Sequence, residues 1–167
     1  MKKMCFFLLF LGCFQSCQKS VAEEENKINT LLDQWHLAAA EANYENYFQA
    51  MSTESVFIGT DATENWNKKD FQAYSKPHFD KGKAWRFKSL TRNISFNPDY
   101  TVAWFDELLE TQMKICRGSG VLVKEKNTWK IKQYVLSMTI PNETSKEVIQ
   151  LKDSIENQLI KKLKSKK

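Results

Sequence analysis

The chain is poor in the residues that build disulfide frameworks, metal centres and phosphate loops. Its 167 residues include four cysteines, two histidines, five glycines and three prolines. Three cysteines fall within the first 17 residues and leave Cys116 alone in the remainder, which excludes an internal disulfide there. His36 and His78 are far apart, and neither has a His or Cys at ligand spacing. We therefore predict no metal centre and no cofactor.

Long apolar runs are also missing. The longest, Met4–Phe14, is shorter than the roughly 20 residues that span a bilayer. It follows two lysines and is typical of a signal peptide over residues 1–16. The small residue before Cys17 resembles a bacterial lipoprotein box, which implies cleavage there and a lipid on the Cys17 sulfur. Cys13, preceded by glycine, is the alternative lipidation site.

This N-terminal interpretation sets the expected location. Residues 17–26 are polar and predict a tether between the lipid and the folded domain. We therefore expect an exported, lipid-anchored protein of the bacterial cell envelope, facing the periplasm or the cell surface, with the membrane as a partner.

The net charge of +5 does not indicate a nucleic-acid-binding surface. Two lysines lie at the extreme N-terminus, and five lie among the last seven residues. These seven lysines carry more positive charge than the net charge of the whole chain, so the rest of the chain is net negative. A nucleic-acid binder carries its positive charge on the folded surface among stacking aromatics. We expect no nucleic-acid partner.

Apolar periodicity predicts an α+β domain. Apolar residues at helical spacing predict three helices over residues 27–42, 44–51 and 67–82, with a short strand over residues 55–59. After Gly82 the residues alternate, which predicts four long strands over 84–96, 102–115, 118–125 and 128–138. The apolar parity slips between Phe87 and Leu90, where we expect a bulge. An antiparallel sheet curled around three helices follows.

The tail, residues 141–167, predicts a separate amphipathic helix with a lysine-rich end. Its apolar residues recur at helical spacing from Val148 to Leu163. Two interpretations stay open: the helix packs on the domain or on a second subunit, or its lysines rest on an anionic membrane.

The order of these elements resembles the SnoaL-like branch of the nuclear transport factor 2-like superfamily over residues 27–140. The similarity is carried by Trp35 and Ala39, and by the stretches "VFIGTDATENW", "VAWFDE", "GSGVLV" and "WKIKQYVLS". It implies a cone-shaped curved sheet with a pocket between the helices and the concave face, and frequent dimers. Relatives include isomerases, cyclases and hydrolases as well as binding modules, so the fold does not define an activity.

The stretch Val56–Trp66 is the first candidate for the pocket rim. It begins as a strand, breaks at Gly59, and places Asp61 and Glu64 beside Trp66. Asp and Thr in such a segment favour turns, because their side chains bond their own backbone. An apolar cavity would instead raise the pKa of an Asp and let it transfer protons. Asp61 is therefore interpreted as a turn residue, with ligand contact and catalysis as alternatives.

Asp106 is the second candidate base. It shares strand parity with Trp104, while Glu107 shares parity with Phe105, so one carboxylate points into the cavity whichever face is concave. A carboxylate there must be paired, hydrated or protonated. Asp106 is interpreted first as part of a structural ion pair, with Arg117 or Arg86 as its partner, and proton transfer is the alternative.

The remaining pocket candidates are mostly aromatic. Relatives often carry His at positions corresponding to Gln133 or Val135, and this chain has none there, which argues against general-base or metal chemistry on the last strand. The full set of predicted pocket residues is Phe57, Asp61, Trp66, Tyr74, Trp104, Asp106, Arg117, Trp129 and Gln133.

The functional expectation follows from these candidates. We expect a protein that binds a small, partly apolar ligand or an envelope partner without catalysis, and that forms a homodimer. The alternative is an isomerase- or cyclase-like proton-transfer enzyme that uses Asp106 or Asp61 as its base.

Overall fold

The structure, a computed structural model, describes residues 21–166. The predicted signal peptide (1–16) and both candidate lipidation sites, Cys17 and Cys13, lie outside these residues. The helices are α1 (Val21–Ala40), α2 (Tyr44–Gln49), α3 (Lys68–Asp80) and α4 (Ser145–Lys164), with a 3-10 turn over Asn142–Thr144. The strands are β1 (Met51–Ile58), β2 (Asn65–Asn67), β3 (Lys88–Phe96), β4 (Val102–Thr111), β5 (Lys114–Glu125) and β6 (Thr128–Met138).

The six strands form one curved sheet in the order β2-β1-β6-β5-β4-β3. All neighbouring pairs are antiparallel except β1 with β6, which run parallel. Helices α1, α2 and α3 pack on one face of this sheet. The expected α+β class, with a curved sheet around three N-terminal helices, is confirmed.

Alternation along β4 distinguishes the two faces of the sheet. Ala103, Phe105, Glu107 and Leu109 are buried beneath the helices. Trp104, between two of them, is 50% exposed and points to the outer face. The sheet therefore has an inner face that forms the core and an outer face that the helices leave open.

Bulges shift the parity of two strands. The register of β3 against β4 shifts between Ser89 and Thr91, which leaves Leu90 as the extra residue near the predicted bulge. A second shift places Ile131 opposite Leu122 but Gln133 opposite Val121. Simple alternation along β6 would put Gln133, a predicted pocket residue, on the same face as Trp129. The bulge corrects this, because after it the buried residues of β6 are Tyr134 and Leu136.

The hairpin between β4 and β5 falls inside the segment predicted as one strand. It turns at Gln112 and Met113, with neither Gly nor Pro to mark it. The hydroxyl of Thr111 accepts the backbone N–H of Met113 at 2.9 Å, and Lys114 takes a positive φ of 69°. A side-chain hydrogen bond and one left-handed residue make this turn without the usual turn formers.

Helix α1 begins at Val21, so residues 21–26 of the predicted tether are helical. The buried carboxylate of Glu24 accepts hydrogen bonds from the Lys124 ammonium at 2.6 Å and the Trp129 indole N–H at 2.7 Å. These long-range contacts fix the first turn of α1 to the end of the sheet, which residue-by-residue polarity did not reveal.

Helix α4 has no buried residue, and its substantial contacts are with the preceding 3-10 turn. The expectation that it packs on its own domain is therefore corrected. Its sequence is amphipathic, but no apolar surface of the described residues covers its stripe. Within residues 21–166, no helix is both long enough and apolar enough to cross a bilayer.

Candidate functional site

An aromatic cleft opens at the end of the sheet where β1 finishes and β4 turns into β5. Its volume is about 160 Å³, close to the roughly 150 Å³ of an engineered apolar cavity known to bind benzene. The walls are mainly apolar, with a polar edge. The lining residues are Phe57, Gly59, Thr60, Glu64, Trp66, Phe71, Tyr74, Trp85, Phe87, Gln112, Met113 and Leu136.

Strand pairing and helical spacing bring the aromatic walls together. Trp66 of β2 pairs with Phe57 of β1, so both side chains point to the same face. Phe71 and Tyr74 lie three residues apart on α3 and share one side of it. Phe71 stacks on Phe57 with ring centroids 4.0 Å apart, and Tyr74 stacks on Trp66 at 4.6 Å. The result is a wall of parallel rings, a suitable surface for a flat molecule.

The cleft has a polar edge in the turn after β1. Asp61 lies in this turn. Its carboxylate accepts hydrogen bonds from the backbone N–H of Thr63 at 2.8 Å and from the Thr63 hydroxyl at 2.5 Å. These hydrogen bonds lower the pKa of Asp61. Glu64 folds back so that its carboxylate accepts the backbone N–H of Asp61 at 3.2 Å. A Cβ at Gly59 would meet that carboxylate, so a larger residue there would displace the Glu64 side chain.

A buried polar network lies next to the aromatic core. Glu107 of β4 has no exposed surface, and its carboxylate pairs with His36 Nε2 at 2.8 Å. Arg92 of β3, directly opposite in the ladder, donates to it from Nε at 3.0 Å and Nη2 at 2.8 Å. The Tyr134 hydroxyl donates to it at 3.2 Å. Arg92 also reaches Asp33 on α1 at 3.0 Å, so the network joins helix and sheet.

The network shifts the pKa values of Glu107 and Tyr134. Burial alone would raise the pKa of Glu107, but the hydrogen bonds with His36 and Arg92 and the positive charge of the Arg92 guanidinium outweigh burial and lower it. Burial, reinforced by the Glu107 carboxylate, raises the pKa of Tyr134 well above its usual value. Glu107 is therefore an anion held by the Arg92 cation and by hydrogen bonds, and Tyr134 is a neutral hydrogen-bond donor.

Glu24 is the second buried carboxylate. Burial would raise its pKa, but the hydrogen bonds from Lys124, Trp129 and Lys27 lower it to about 2. The site lies beside the turn between β5 and β6, whereas the aromatic cleft lies beside the turn between β4 and β5. Since these turns close opposite ends of β5, Glu24 is remote from the cleft.

Some of the predicted pocket residues meet at the cleft. Phe57, Trp66 and Tyr74 line it, and Asp61 lies in its edge turn without lining it. Trp129 is buried at the opposite end of the sheet, against Glu24.

The other predicted pocket residues point to the outer face, which corrects their assignment to the pocket. Asp106 is half-buried there and accepts a hydrogen bond from the Asn93 amide at 3.2 Å. Trp104 and Arg117 are exposed on the same face. Gln133 also lies on this outer face, because the β6 bulge shifts the alternation of that strand. The inward carboxylate of β4 is Glu107.

Sequence reasoning missed the combination of His36, Arg92 and Glu107. The parity of Glu107 with buried Phe105 was a usable signal, and so was His36 next to Trp35 on the apolar stripe of α1. Their pairing needs α1 to cross β3 and β4, which no local pattern shows. Among residues 21–166, no group of His, Cys, Asp and Glu side chains is arranged to hold a metal ion.

Comparison with known proteins agrees with this architecture. A family model described as the SnoaL-like domain matches residues 28–141. A search of curated protein sequences finds no match.

Solved structures show the same fold at low sequence identity. An NTF2-like protein of unknown function from Pseudomonas putida is 13% identical with a TM-score of 0.62, and the alignment covers 75% of this chain and 92% of that chain. A proposed dehydratase of the NTF2-like family from Streptomyces avermitilis is 8% identical with a TM-score of 0.62, covering 73% and 100%. A proposed ketosteroid isomerase from Shewanella frigidimarina is 13% identical with a TM-score of 0.57, covering 68% and 97%. At such identities the likeness concerns the fold alone.

Proposed function

The chain belongs to the SnoaL-like domain family, and from that premise we propose that it holds a small, flat, largely apolar molecule in the aromatic cleft without transforming it. The observation that carries this proposal is the cleft itself, with stacked rings on its walls and Thr60, Glu64 and Gln112 at its edge. Apolar walls with a few polar groups are the usual composition of small-molecule sites. The volume of about 160 Å³ suits a one-ring molecule.

The carboxylates of the domain support binding over proton transfer. A catalytic carboxylate at neutral pH needs a raised pKa, which burial without a cation provides. The pKa values of Asp61, Glu24 and Glu107 are instead lowered by hydrogen bonds or cations. Asp106, the other candidate base, points away from the cleft. The proton-transfer alternative through Asp106 or Asp61 therefore has less support.

We place this binding function in the bacterial cell envelope, with a lipid on Cys17 or, alternatively, Cys13. The support is the N-terminal sequence, with its basic start, apolar run and small residue before cysteine. Labelling of expressing cells with radioactive palmitate tests it. We expect Cys17→Ala to abolish the label and Cys13→Ala to retain it, and an unlabelled wild-type protein would contradict lipidation.

The binding function is tested with 4-fluorophenol as a one-ring probe, followed by fluorine NMR. Tyr74→Ala removes a cleft wall that is 47% exposed, so the variant should fold. We expect it to weaken probe binding about two- to tenfold, since an aromatic pair is worth about 0.5–1.5 kcal/mol beyond its buried area. Trp104→Ala is the matched control, because Trp104 is similarly exposed at 50% but lies on the outer face.

Two results would contradict the binding proposal. The first is that the wild-type protein shows no saturable binding of the probe, and the second is that Trp104→Ala weakens binding as much as Tyr74→Ala. Native mass spectrometry of protein purified from its own cell envelope complements the probe, because a co-purifying small molecule would identify the natural ligand.

A further inference from the structure

A second cleft, separate from the aromatic one, lies between α1 and the start of β3. Its volume is about 410 Å³, and its walls include Asp33 and His36 of α1 and Arg86, Phe87 and Lys88 before and within β3. Phe87 contributes to both clefts and separates them. The function proposed above does not use this second cleft, which we call the histidine cleft.

His36 is held in a defined orientation at the base of the histidine cleft. Its ring is 4% exposed and lines the cleft. Its Nε2 edge is turned toward Glu107, whose carboxylate is fixed in turn by Arg92 and Tyr134. Nδ1, the other ring nitrogen, has no hydrogen-bond partner among residues 21–166. A buried carboxylate thus orients an imidazole and leaves one of its nitrogens for a ligand.

The charges around the histidine cleft favour an anion. Arg86 and Lys88 are exposed on its walls, and within residues 21–166 neither takes part in an ion pair. Asp33 also lines the cleft, but its carboxylate pairs with the Arg92 guanidinium at 3.0 Å. Glu107 lies behind the ring and shares the same Arg92 guanidinium. Among the exposed side chains that line the cleft, two positive charges, on Arg86 and Lys88, therefore stand against the one negative charge of Asp33.

We propose that the histidine cleft binds the oxyanion group of a small ligand, a carboxylate or a phosphate. His36 carries a proton on each ring nitrogen in this complex: Nε2–H donates to Glu107, and Nδ1–H donates to the anion. The second proton comes from solvent, and no covalent bond forms or breaks. Arg86 and Lys88 supply the remaining charge-assisted contacts from the rim.

Nitrogen-15 NMR of the imidazole side chains tests this proposal directly. The chain has only two histidines, and His78 is exposed on α3, so it serves as an internal control. At fixed pH we titrate with inorganic phosphate and, separately, with acetate. We expect the His36 Nδ1 resonance to move saturably with one or both, while His78 barely moves. A stronger response to phosphate indicates a phosphorylated ligand, and a stronger response to acetate indicates a carboxylate.

Two double variants distinguish binding in the histidine cleft from a general effect of surface charge. Arg86→Gln with Lys88→Gln should weaken phosphate binding about tenfold or more, since charge-assisted hydrogen bonds are individually worth more than neutral ones. Lys69→Gln with Lys126→Gln removes the same charge elsewhere on the exposed surface and should leave binding unchanged. The proposal fails if neither anion moves His36 saturably, if His78 moves equally, or if both double variants weaken binding alike.

A different observation concerns α4, whose apolar stripe has no cover. Among its exposed aliphatic residues, Leu151 is 79% exposed and Ile155 is 71% exposed. The stripe runs the whole length of the helix, from Val148 to Leu163. In proteins, most of the stability of an amphipathic helix comes from packing of its apolar face, so the stripe favours a partner surface.

Charge along α4 indicates what that partner is. The first part, Ser145–Glu156, carries three acidic and two basic residues, whereas the last part, Asn157–Lys164, carries three lysines and no acid. Two copies side by side in parallel would place lysines against lysines. In an antiparallel pair, the acidic part of each helix faces the basic part of the other, with Val148 opposite Leu163. We infer that α4 pairs antiparallel with α4 of a second copy, in a symmetric dimer.

Sedimentation equilibrium of residues 20–167, which include every described residue, tests the pairing. We expect a dimer, and truncation after Pro141 should give a folded monomer. Reversing the acidic part (Glu147→Lys, Asp153→Lys) or the basic part (Lys161→Glu, Lys162→Glu) should weaken the dimer about tenfold, and combining both reversals should restore it.

The alternatives give distinct results. A dimer that survives truncation would place the interface on another surface, such as the outer face of the sheet. A monomeric wild-type protein that floats with phosphatidylglycerol vesicles would make α4 a membrane-surface helix. Either result overturns the helix-pairing inference.

Discussion

The replacement Glu107→Gln tests whether the buried network holds the domain together. The side chain keeps its size, but its negative charge is lost. His36 Nε2, Arg92 and the Tyr134 hydroxyl lose a carboxylate partner at 2.8–3.2 Å. Glutamine can accept hydrogen bonds through one oxygen only, so at least one of these donors is left unsatisfied in a buried place.

The structure allows the size of the effect to be worked out. Breaking a buried ion pair by removing one partner costs about 3–5 kcal/mol. Arg92 keeps a second partner in Asp33, whose side chain is 63% exposed, and this contact recovers part of the loss. We therefore expect Glu107→Gln to lower the free energy of unfolding by about 3 kcal/mol, the lower end of that range. This corresponds to a fall in Tm of about 6–12 °C for a domain of this size.

Asp106→Asn is the matched control for this prediction. Asp106 is the adjacent residue, but it is only half-buried, and its carboxylate accepts a hydrogen bond from the Asn93 amide at 3.2 Å. We expect it to change stability by less than about 1 kcal/mol. Urea unfolding followed by circular dichroism measures both variants. The reasoning is refuted if Asp106→Asn destabilises the protein as much as Glu107→Gln, or if Glu107→Gln has no effect.

Three further changes probe other parts of the fold. Glu24→Gln should cost about 1–3 kcal/mol at pH 7 by leaving Lys124 unpaired. The folded-state pKa of Glu24 is lowered from 4.5 to about 2, so the carboxylate stabilises the fold only while it is ionised. The free energy of unfolding of the wild-type protein in urea should therefore fall as the pH drops from 4.5 to about 2. Glu24→Gln should lack the contribution of Glu24 to this pH dependence. Gly118→Ala places a Cβ against the Tyr134 hydroxyl and should cost about 1–3 kcal/mol in thermal unfolding. Asp61→Ala should cost about 1 kcal/mol in urea unfolding, through its lost turn hydrogen bonds; an unchanged midpoint would contradict that role.

The sequence predicted the long strands well because their apolar residues alternate over many positions. It placed the bulge near Leu90 because a bulge interrupts that alternation. It missed the turn at Gln112 and Met113, since the Thr111 hydroxyl replaces the glycine or proline that usually marks such a turn. The small strand β2 was also missed, because three residues are too few to show a period.

The residues of the candidate site were also predicted only in part. Phe57 and Trp66 were predicted as pocket residues, and they face the cleft through direct pairing of neighbouring strands. Asp106 was preferred over Glu107, although the two residues differ in sequence only by one step of alternation. Which of them faces inward depends on which side of the sheet the helices cover.

By itself, the sequence determined the order of the helices and the longer strands, the α+β class and the family resemblance, because local periodicity carries those signals. Tertiary structure alone decided that Glu107 rather than Asp106 is buried, that His36 and Arg92 meet it, and that α4 stands without an intramolecular cover. The physical reason is distance along the chain. His36 and Glu107 are 71 residues apart, and only the packing of α1 across the sheet brings them within hydrogen-bond range.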